Sequence, residues 1–364
     1  MAAVIGVVTT SYPRFPGDGA GSFVRERVRA LQAAGQVVEV VAAGDGECQD
    51  EDWITRIRGD GLFYAGGAPE ALEGDGVLPR FAAWGRALGF SGALLGRLAR
   101  CGGRWDAVES HWLLPCGLAA RIALARLPHR AHVHGGDLYL LERLPWADSL
   151  ARVFCRSRPE MIFASTSLRE RFAALAGASP EALGARSQVE PAPFDQTLFG
   201  PASDEERRQA KRALVGDRPL VLAAGRLVPI KGHDRLVLAV ARLAPAARPV
   251  VIIAGEGPER DRLERRARAS GVDLRLPGTL DQQSLARHLA AADLFVHPCR
   301  TLPSGRSEGM PLAVREALAR GVPVVASASG GLVELAGAEG LVLVPADDVD
   351  ALATALARAL RTKS

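Results

Sequence analysis

Two glutamates stand eight positions apart in the run Ser307-Glu308-Gly309-Met310-Pro311-Leu312-Ala313-Val314-Arg315-Glu316. A loop rich in proline, glycine and serine precedes them, and before it comes an apolar strand pattern, Leu294–His297. Proline suits the first turn of a helix, where its missing N–H would be unpaired anyway, so Pro311 predicts a helix start. The N–H groups of Gly309, Met310 and Leu312 are then expected to point out of the helix N-terminus at an anion. Glu308 sits before that helix and Glu316 on it, so one carboxylate reaches beyond the helix end and the other along its side. The same spacing also suits two solvated glutamates, and the chemical reading rests on the residues that accompany them.

Gly225-Arg226-Leu227 follows the apolar run Leu220–Ala224, with Lys231-Gly232 five residues after the arginine. A guanidinium fork and an ammonium point charge on one strand-end loop can hold a diphosphate. Gly255-Glu256-Gly257-Pro258 follows the next strand pattern and allows backbone to approach a ligand closely. In the first half, strand alternation places His132 and His134 on one face, with Asp137 nearby. A metal site there lacks a third dependable ligand, so a cleft-facing His134 beside a structural His132 is expected. Asp50-Glu51-Asp52 and Asp348-Val349-Asp350 mimic a metal-binding Asp-x-Asp. The first lies in a polar loop before a tryptophan, and the second precedes a helix, where aspartate commonly caps. Neither is read as following a strand in a nucleotide-binding half, and no metal is expected.

These residues need a scaffold of strand-end loops. Short β-branched runs alternate with longer helical patterns, the signature of parallel βαβ units. Ala3–Thr9, Val37–Ala43, Ala107–Ser110, Ala131–His134 and Met161–Ala164 read as strands of a first half. Leu220–Ala224, Val250–Ala254, Leu274–Leu276, Leu294–His297, Val322–Ala326 and Leu341–Val344 read as strands of a second. Between them Pro191, Pro193, Gly200 and Pro201 mark a linker. The expected fold class is α/β, with two doubly wound parallel-sheet domains, 1–193 and 194–364, facing a central cleft. Ligands of open α/β sheets bind at strand carboxyl ends, which is where the glycines, cations and glutamates fall.

The composition agrees. The 364 residues are 48% hydrophobic and 24% charged, which fits a globular two-domain chain. Five cysteines without a Cys-x-x-Cys pair speak against a disulfide framework or a zinc site and suit a reducing cytosol. The net charge of +4 calls for phosphates no less than for nucleic acid, and no basic arm or aromatic-basic motif favours the latter. The apolar N-terminus reads as a first strand, not a signal peptide, and no run long enough for a spanning helix occurs. Val77 to Trp105 has no acidic residue. Arg80, Arg86, Arg97, Arg100 and Arg104 punctuate an apolar pattern of Phe81, Trp84, Leu88, Leu94, Leu95 and Leu98. A helix packing on the first sheet with a basic rim is expected, and a surface for an anionic or lipid-linked acceptor is the second reading.

Together these motifs resemble the retaining glycosyltransferases of family 4, which have the GT-B fold of two Rossmann-like domains. The resemblance covers most of the chain. It is carried by Glu308 and Glu316, by Gly225-Arg226-Leu227 with Lys231-Gly232, and by Leu276-Pro277-Gly278 and Ala291 to Pro298. Pro13 through Phe23, His111-Trp112-Leu113-Leu114-Pro115 and His134-Gly135-Gly136-Asp137 also match family patterns. Pro191 to Phe199 is a variant in which Pro193-Phe194 replaces the usual Gly-Val. The family's segment that crosses back to the first domain is expected to be short or absent after the final helix pattern, Asp350–Leu360.

The resemblance implies that Arg226 and Lys231, beside Gly225, bind the donor diphosphate, that Glu316 accepts the ribose hydroxyls and that Glu308 accepts a sugar hydroxyl. Backbone around Gly309, Met310, Pro311 and Leu312 would meet sugar and phosphate, and backbone near Gly278 the base. His134 would lie near the sugar and leaving group, and Gly19 or Gly21 would bring an N–H to the distal phosphate. Glu308, His134, Arg226 and Lys231 are the expected catalytic set. The implied reaction moves a sugar from a UDP- or GDP-sugar to a hydroxyl acceptor (a glycan, a lipid-linked sugar or a small molecule). No resident cofactor, metal or nucleic acid is involved, the nucleotide sugar being a substrate. A cytoplasmic enzyme with peripheral membrane contact through Arg80–Arg104 fits this reading. A nicotinamide dehydrogenase is disfavoured because Gly17-Asp18-Gly19-Ala20-Gly21 is wrongly spaced from the first strand. A nucleotide-sugar epimerase and a non-catalytic sugar-nucleotide binder remain as alternatives.

Overall fold

The computed structural model describes residues 2–44, 48–58, 77–156, 159–179, 183–303 and 305–361, with backbone alone for 77–81. The chain divides into two compact units, Met1–Pro193 and Phe194–Ser364. The first holds strands β1 Val4–Thr9, β2 Val37–Ala43, β3 Ile54–Ile57, β4 Ala107–His111, β5 His129–Val133, β6 Glu160–Phe163 and β7 Ser187–Val189. They form one parallel sheet in the order β3-β2-β1-β4-β5-β6-β7. Val7, Val40 and Ala42 bury on one face, and Val8, Val41 and Val108 on the other, as a sheet covered on both sides requires.

The second unit holds β8 Leu220–Ala224, β9 Val250–Ala254, β10 Leu274–Arg275, β11 Leu294–His297, β12 Val324–Ala328 and β13 Leu341–Pro345. These too are parallel, in the order β10-β9-β8-β11-β12-β13. Leu220, Leu222 and Ala224 pack into one core layer while Val221 and Ala223 pack into the other. Strand order reverses between β1 and β4 in one sheet and between β8 and β11 in the other. The loops after these four strands therefore flank a crevice in each unit.

Several boundaries differ from expectation. β3 and β7 escape the pattern because Ile54-Thr55-Arg56-Ile57 and Ser187-Gln188-Val189 are short, polar edge strands that exist through pairing with β2 and β6. His134 lies one residue past β5, not in it. The basic helix spans Val77–Cys101, and its buried stripe is Ala83, Ala87, Phe90, Leu94, Leu98 and Cys101. Trp84 and Leu88 are not on the packed face: they are 39% and 70% exposed. Ala83 and Ala87 take the buried positions in the first half of the helix and Phe90, Leu94 and Leu98 those in the second, so Trp84 and Leu88 fall on the outer side. The side chains of Arg80 and Phe81 lie outside the described residues. Among the described residues no helix is long and apolar enough to cross a membrane.

Candidate active site

In the second unit three strand-end loops are tied by backbone. Gly225 N–H donates to Ala254 C=O at 2.9 Å, Leu227 N–H to Glu256 C=O at 2.8 Å, and Gly255 N–H to Gly278 C=O at 2.8 Å. A Cβ on Gly255 would lie 2.0 Å from the Gly225 carbonyl oxygen, and its φ of 151° suits glycine alone. This close approach sets the Arg226–Lys231 loop beside Gly278, and Gly232, where a Cβ would meet the Pro298 carbonyl oxygen at 2.0 Å, joins it to the residues after β11.

Lys231 Nζ donates to Glu308 Oε2 at 2.9 Å across the switch point, with the side chains 20% and 15% exposed. Burial alone would raise the Glu308 carboxyl; the Lys231 ammonium outweighs it and holds it below its usual range. Glu308 is therefore an ionised acceptor at neutral pH. His297, at the end of β11, is pushed down to about 3 by burial and then by the Lys231 charge, so it stays neutral. Gly330 is required behind Glu308, because a Cβ there would meet the Glu308 carbonyl oxygen at 1.8 Å.

Pro311 is not in the first helical turn. The helix is Leu312–Ala319 and Pro311 precedes it with ψ 120°, an extended cap conformation. Gly331 N–H donates to Gly309 C=O at 2.8 Å and pins the loop before the helix can begin. Among the described residues none accepts from the N–H groups of Gly309 or Met310. Glu316 lies inside the helix, 3% exposed, with its carboxyl pushed up to about 7 by burial against a smaller lowering from Arg315. The second acidic triplet does follow a strand, β13, contrary to expectation. Its Asp348 carboxylate is engaged as a cap, accepting from Asp350 and Ala351 N–H at 3.0 and 2.8 Å. Asp50 of the first triplet pairs with Arg56 at 2.8 Å.

In the first unit the loop after β1 ends at Gly21, the N-cap of the helix Ser22–Ala33, with φ 73°. A Cβ on Gly21 would sit 2.3 Å from the Ser11 carbonyl oxygen, whereas one on Gly19 meets nothing within 4 Å. Gly21 thus serves the turn, and Gly19 borders open space. The buried Asp18 shapes the loop by accepting from Arg14 and Ala20 N–H, each at 3.1 Å.

After β5, Asp137 is buried and accepts from the N–H groups of His134, Gly135 and Leu113 at 3.1, 2.9 and 2.8 Å. It thereby locks the turns after β4 and β5 together. His111, the last residue of β4, bonds His134 through Nδ1···Nε2 at 3.1 Å. Its ring also stacks on His132, with centroids 4.4 Å apart and planes 13° from parallel. Trp112 follows at φ 70°, a strained backbone for a bulky side chain, and lies 5.1 Å from the His134 ring. Beneath the stack Arg27 forks the buried Glu109 at 2.7 and 2.8 Å. Burial would raise Glu109, but Arg27 and His132 hold it down at about 2. Glu109, His111 and His132 offer ligand atoms within 4.8 Å of one another. The two rings lie in nearly parallel planes, however, so their lone pairs do not converge on one ion, and Arg27 already occupies the carboxylate.

Sequence reasoning missed Arg27, Glu109, the pairing of His111 with His134 and the burial of His297 beside Lys231. The available signal was their position: His111 and His297 end the strands beside each topological switch.

Two doubly wound sheets, each with its polar cluster at the switch point, define a GT-B architecture. A solved sucrose-phosphate synthase from Thermosynechococcus elongatus superposes with a TM-score of 0.73 at 22% identity, over 99% of this chain and 90% of that one. The profile described as "Glycosyltransferase Family 4" matches residues 17–183, and that of "Glycosyl transferases group 1" matches 204–364. The GDP-mannose-dependent alpha-(1-6)-phosphatidylinositol monomannoside mannosyltransferase of Mycolicibacterium smegmatis is 36% identical over 71% of this chain and 69% of its own. That of Mycobacterium tuberculosis is 34% identical over 70% and 67%. The chain belongs to glycosyltransferase family 4 and is a glycosyltransferase.

Proposed function

We propose that this enzyme transfers a hexose from a nucleoside-diphosphate sugar to a hydroxyl acceptor with retention of configuration and without a metal ion. The names of the two mycobacterial relatives favour GDP-mannose as donor and a lipid-linked sugar as acceptor. Neither the epimerase nor the non-catalytic reading finds support among the relatives.

The observation that carries the reading is the Lys231–Glu308 pair beside Arg226 at the switch point of the second sheet. Departure of the diphosphate concentrates negative charge on its oxygens and positive charge on the sugar ring. Arg226, Lys231 and the N–H groups of Gly309 and Met310 stabilise the first, each donor contributing roughly 3 kcal/mol if oxyanion-site magnitudes apply. Ionised Glu308 accepts a sugar hydroxyl and is oriented by Lys231, while Glu316 accepts the ribose hydroxyls. Backbone near Gly278 meets the base. His134 and the N–H at Gly19 are the contributions of the first unit, and the acceptor attacks on the face that the diphosphate leaves.

A thermal-shift titration with GDP and GDP-mannose, with and without EDTA, tests the donor and the metal. A hundredfold excess over Kd is expected to add about 2.7 kcal/mol of stability whether or not EDTA is present. A shift seen only with added magnesium or manganese would overturn the metal-free proposal. Proton NMR of the fresh product distinguishes retention from inversion.

A further inference from the structure

We propose that His111 is a positioning residue that fixes His134 in its Nδ1–H tautomer, so that His134 offers the substrate a hydrogen-bond donor and not a proton acceptor. The inference rests on the reading that His134 meets the donor sugar.

The two imidazoles are joined at His111 Nδ1 and His134 Nε2, 3.1 Å apart. Burial, and then the neighbouring His132, push His134 down to about 3 and His111 well below its ordinary value. Both rings are accordingly neutral at pH 7, each with one proton, and one ring must donate to the other. If His134 Nε2–H donated, the His111 proton would have to sit on Nε2. That atom is buried, and among the described residues no hydrogen-bond partner faces it. A buried N–H without an acceptor is among the rarest defects in folded proteins, and a bare lone pair is tolerated more readily. The favoured arrangement has His111 Nδ1–H donating to His134 Nε2, which leaves the proton of His134 on Nδ1.

The surroundings hold this arrangement still. His111 is 1% exposed, stacked on His132 and aimed by the positive-φ turn at Trp112. Phe23 and Trp112 lie against the His134 ring, with centroids at 4.8 and 5.1 Å. His134 itself is only partly buried, and no hydrogen bond links its Nδ1 to a described residue. An N–H at that edge suits a sugar or phosphate oxygen. Such an edge cannot serve as a general base at neutral pH.

Long-range proton–nitrogen NMR of the full chain, with ¹⁵N-labelled histidine at pH 7, reads the tautomer directly. His134 is expected to show a protonated Nδ1 and a bare Nε2, and His111→Phe to release it towards the Nε2–H form that free imidazoles prefer. His111→Phe should lower kcat about tenfold with little change in KM, the value of one hydrogen bond. His111→Asn, whose amide N–H can replace the Nδ1 donor, should restore part of the loss. Finding wild-type His134 in the Nε2–H form, or as an imidazolium, would overturn the proposal even if the variants failed to fold. A His134→Ala enzyme with undiminished transfer would instead overturn the role of His134 at the donor while leaving the tautomer result standing.

Discussion

Glu316 is the residue whose environment departs most from what its sequence position suggests. A carboxyl at about 7 in the folded chain and 4.5 in the unfolded chain means that the folded state binds more protons between these values. Stability therefore falls as pH rises through that window, and the penalty is complete above pH 7. Glu316→Gln should raise stability at pH 8 by up to about 3 kcal/mol, at about 1.4 kcal/mol per pKa unit, and leave it unchanged at pH 4. The same variant should weaken GDP binding by roughly 1.5–3 kcal/mol, because a charged acceptor is lost from the ribose. Wild-type GDP affinity should rise with pH through 7, and that of the variant should not. Denaturant midpoints and calorimetric titration at the two pH values measure both. A variant that bound GDP as tightly as wild type at pH 8 would remove Glu316 from the nucleotide site.

At the scale of elements, the helix Ser22–Ala33 is fastened to β4 by Arg27 and Glu109. Removing one partner of a buried pair leaves an uncompensated charge, so Arg27→Met should cost about 3–5 kcal/mol at pH 7. Glu109 contributes its stability above the ordinary carboxylate value and loses it as pH falls through about 2. The difference between wild type and variant should consequently shrink on acidification, and Arg27→Met with Glu109→Gln should recover part of the loss. An unchanged urea midpoint for Arg27→Met at pH 7 would show the pair to be dispensable. None of this was legible in the sequence, because Arg27 and Glu109 are 82 positions apart and meet only through the β1–β4 adjacency. The two glutamates and the Arg226–Lys231 loop were legible because each group lies on one strand-end loop or one helix start. Lys231 bonding Glu308, 77 positions on, required the β8–β11 neighbour relation that periodicity does not reveal.

For the molecule as a whole, alternation of strand and helix patterns was enough to read two parallel-sheet units, since βαβ repetition is a local signal. Which face of the Val77–Cys101 helix would bury was not readable, because Ala83 and Ala87 fit an apolar stripe as well as Trp84 and Leu88 do. The outcome bears on where the protein resides. Trp84 and Leu88 are exposed together with Arg86 and Arg100, while Arg97 is tied to Thr55 at 2.9 Å and Arg104 to Glu39 at 2.8 Å. We expect salt-sensitive co-sedimentation with phosphatidylglycerol vesicles, weakened by about 2 kcal/mol when Arg86 and Arg100 become Gln, at about 1 kcal/mol per basic residue. Protein that stays in the supernatant at both low and physiological salt would return this helix to a packing role alone.

The ion pair between Lys231 and Glu308 also has a bearing on turnover. In the proposed reaction the departing nucleotide leaves an ammonium group that has a carboxylate 2.9 Å away. Product release then exposes no bare cation, and the competing internal anion lowers the affinity for the spent nucleotide. Shortening or neutralising Glu308 would accordingly slow the cycle at two points. The sugar would lose its partner, and the product would lose the rival that helps to evict it.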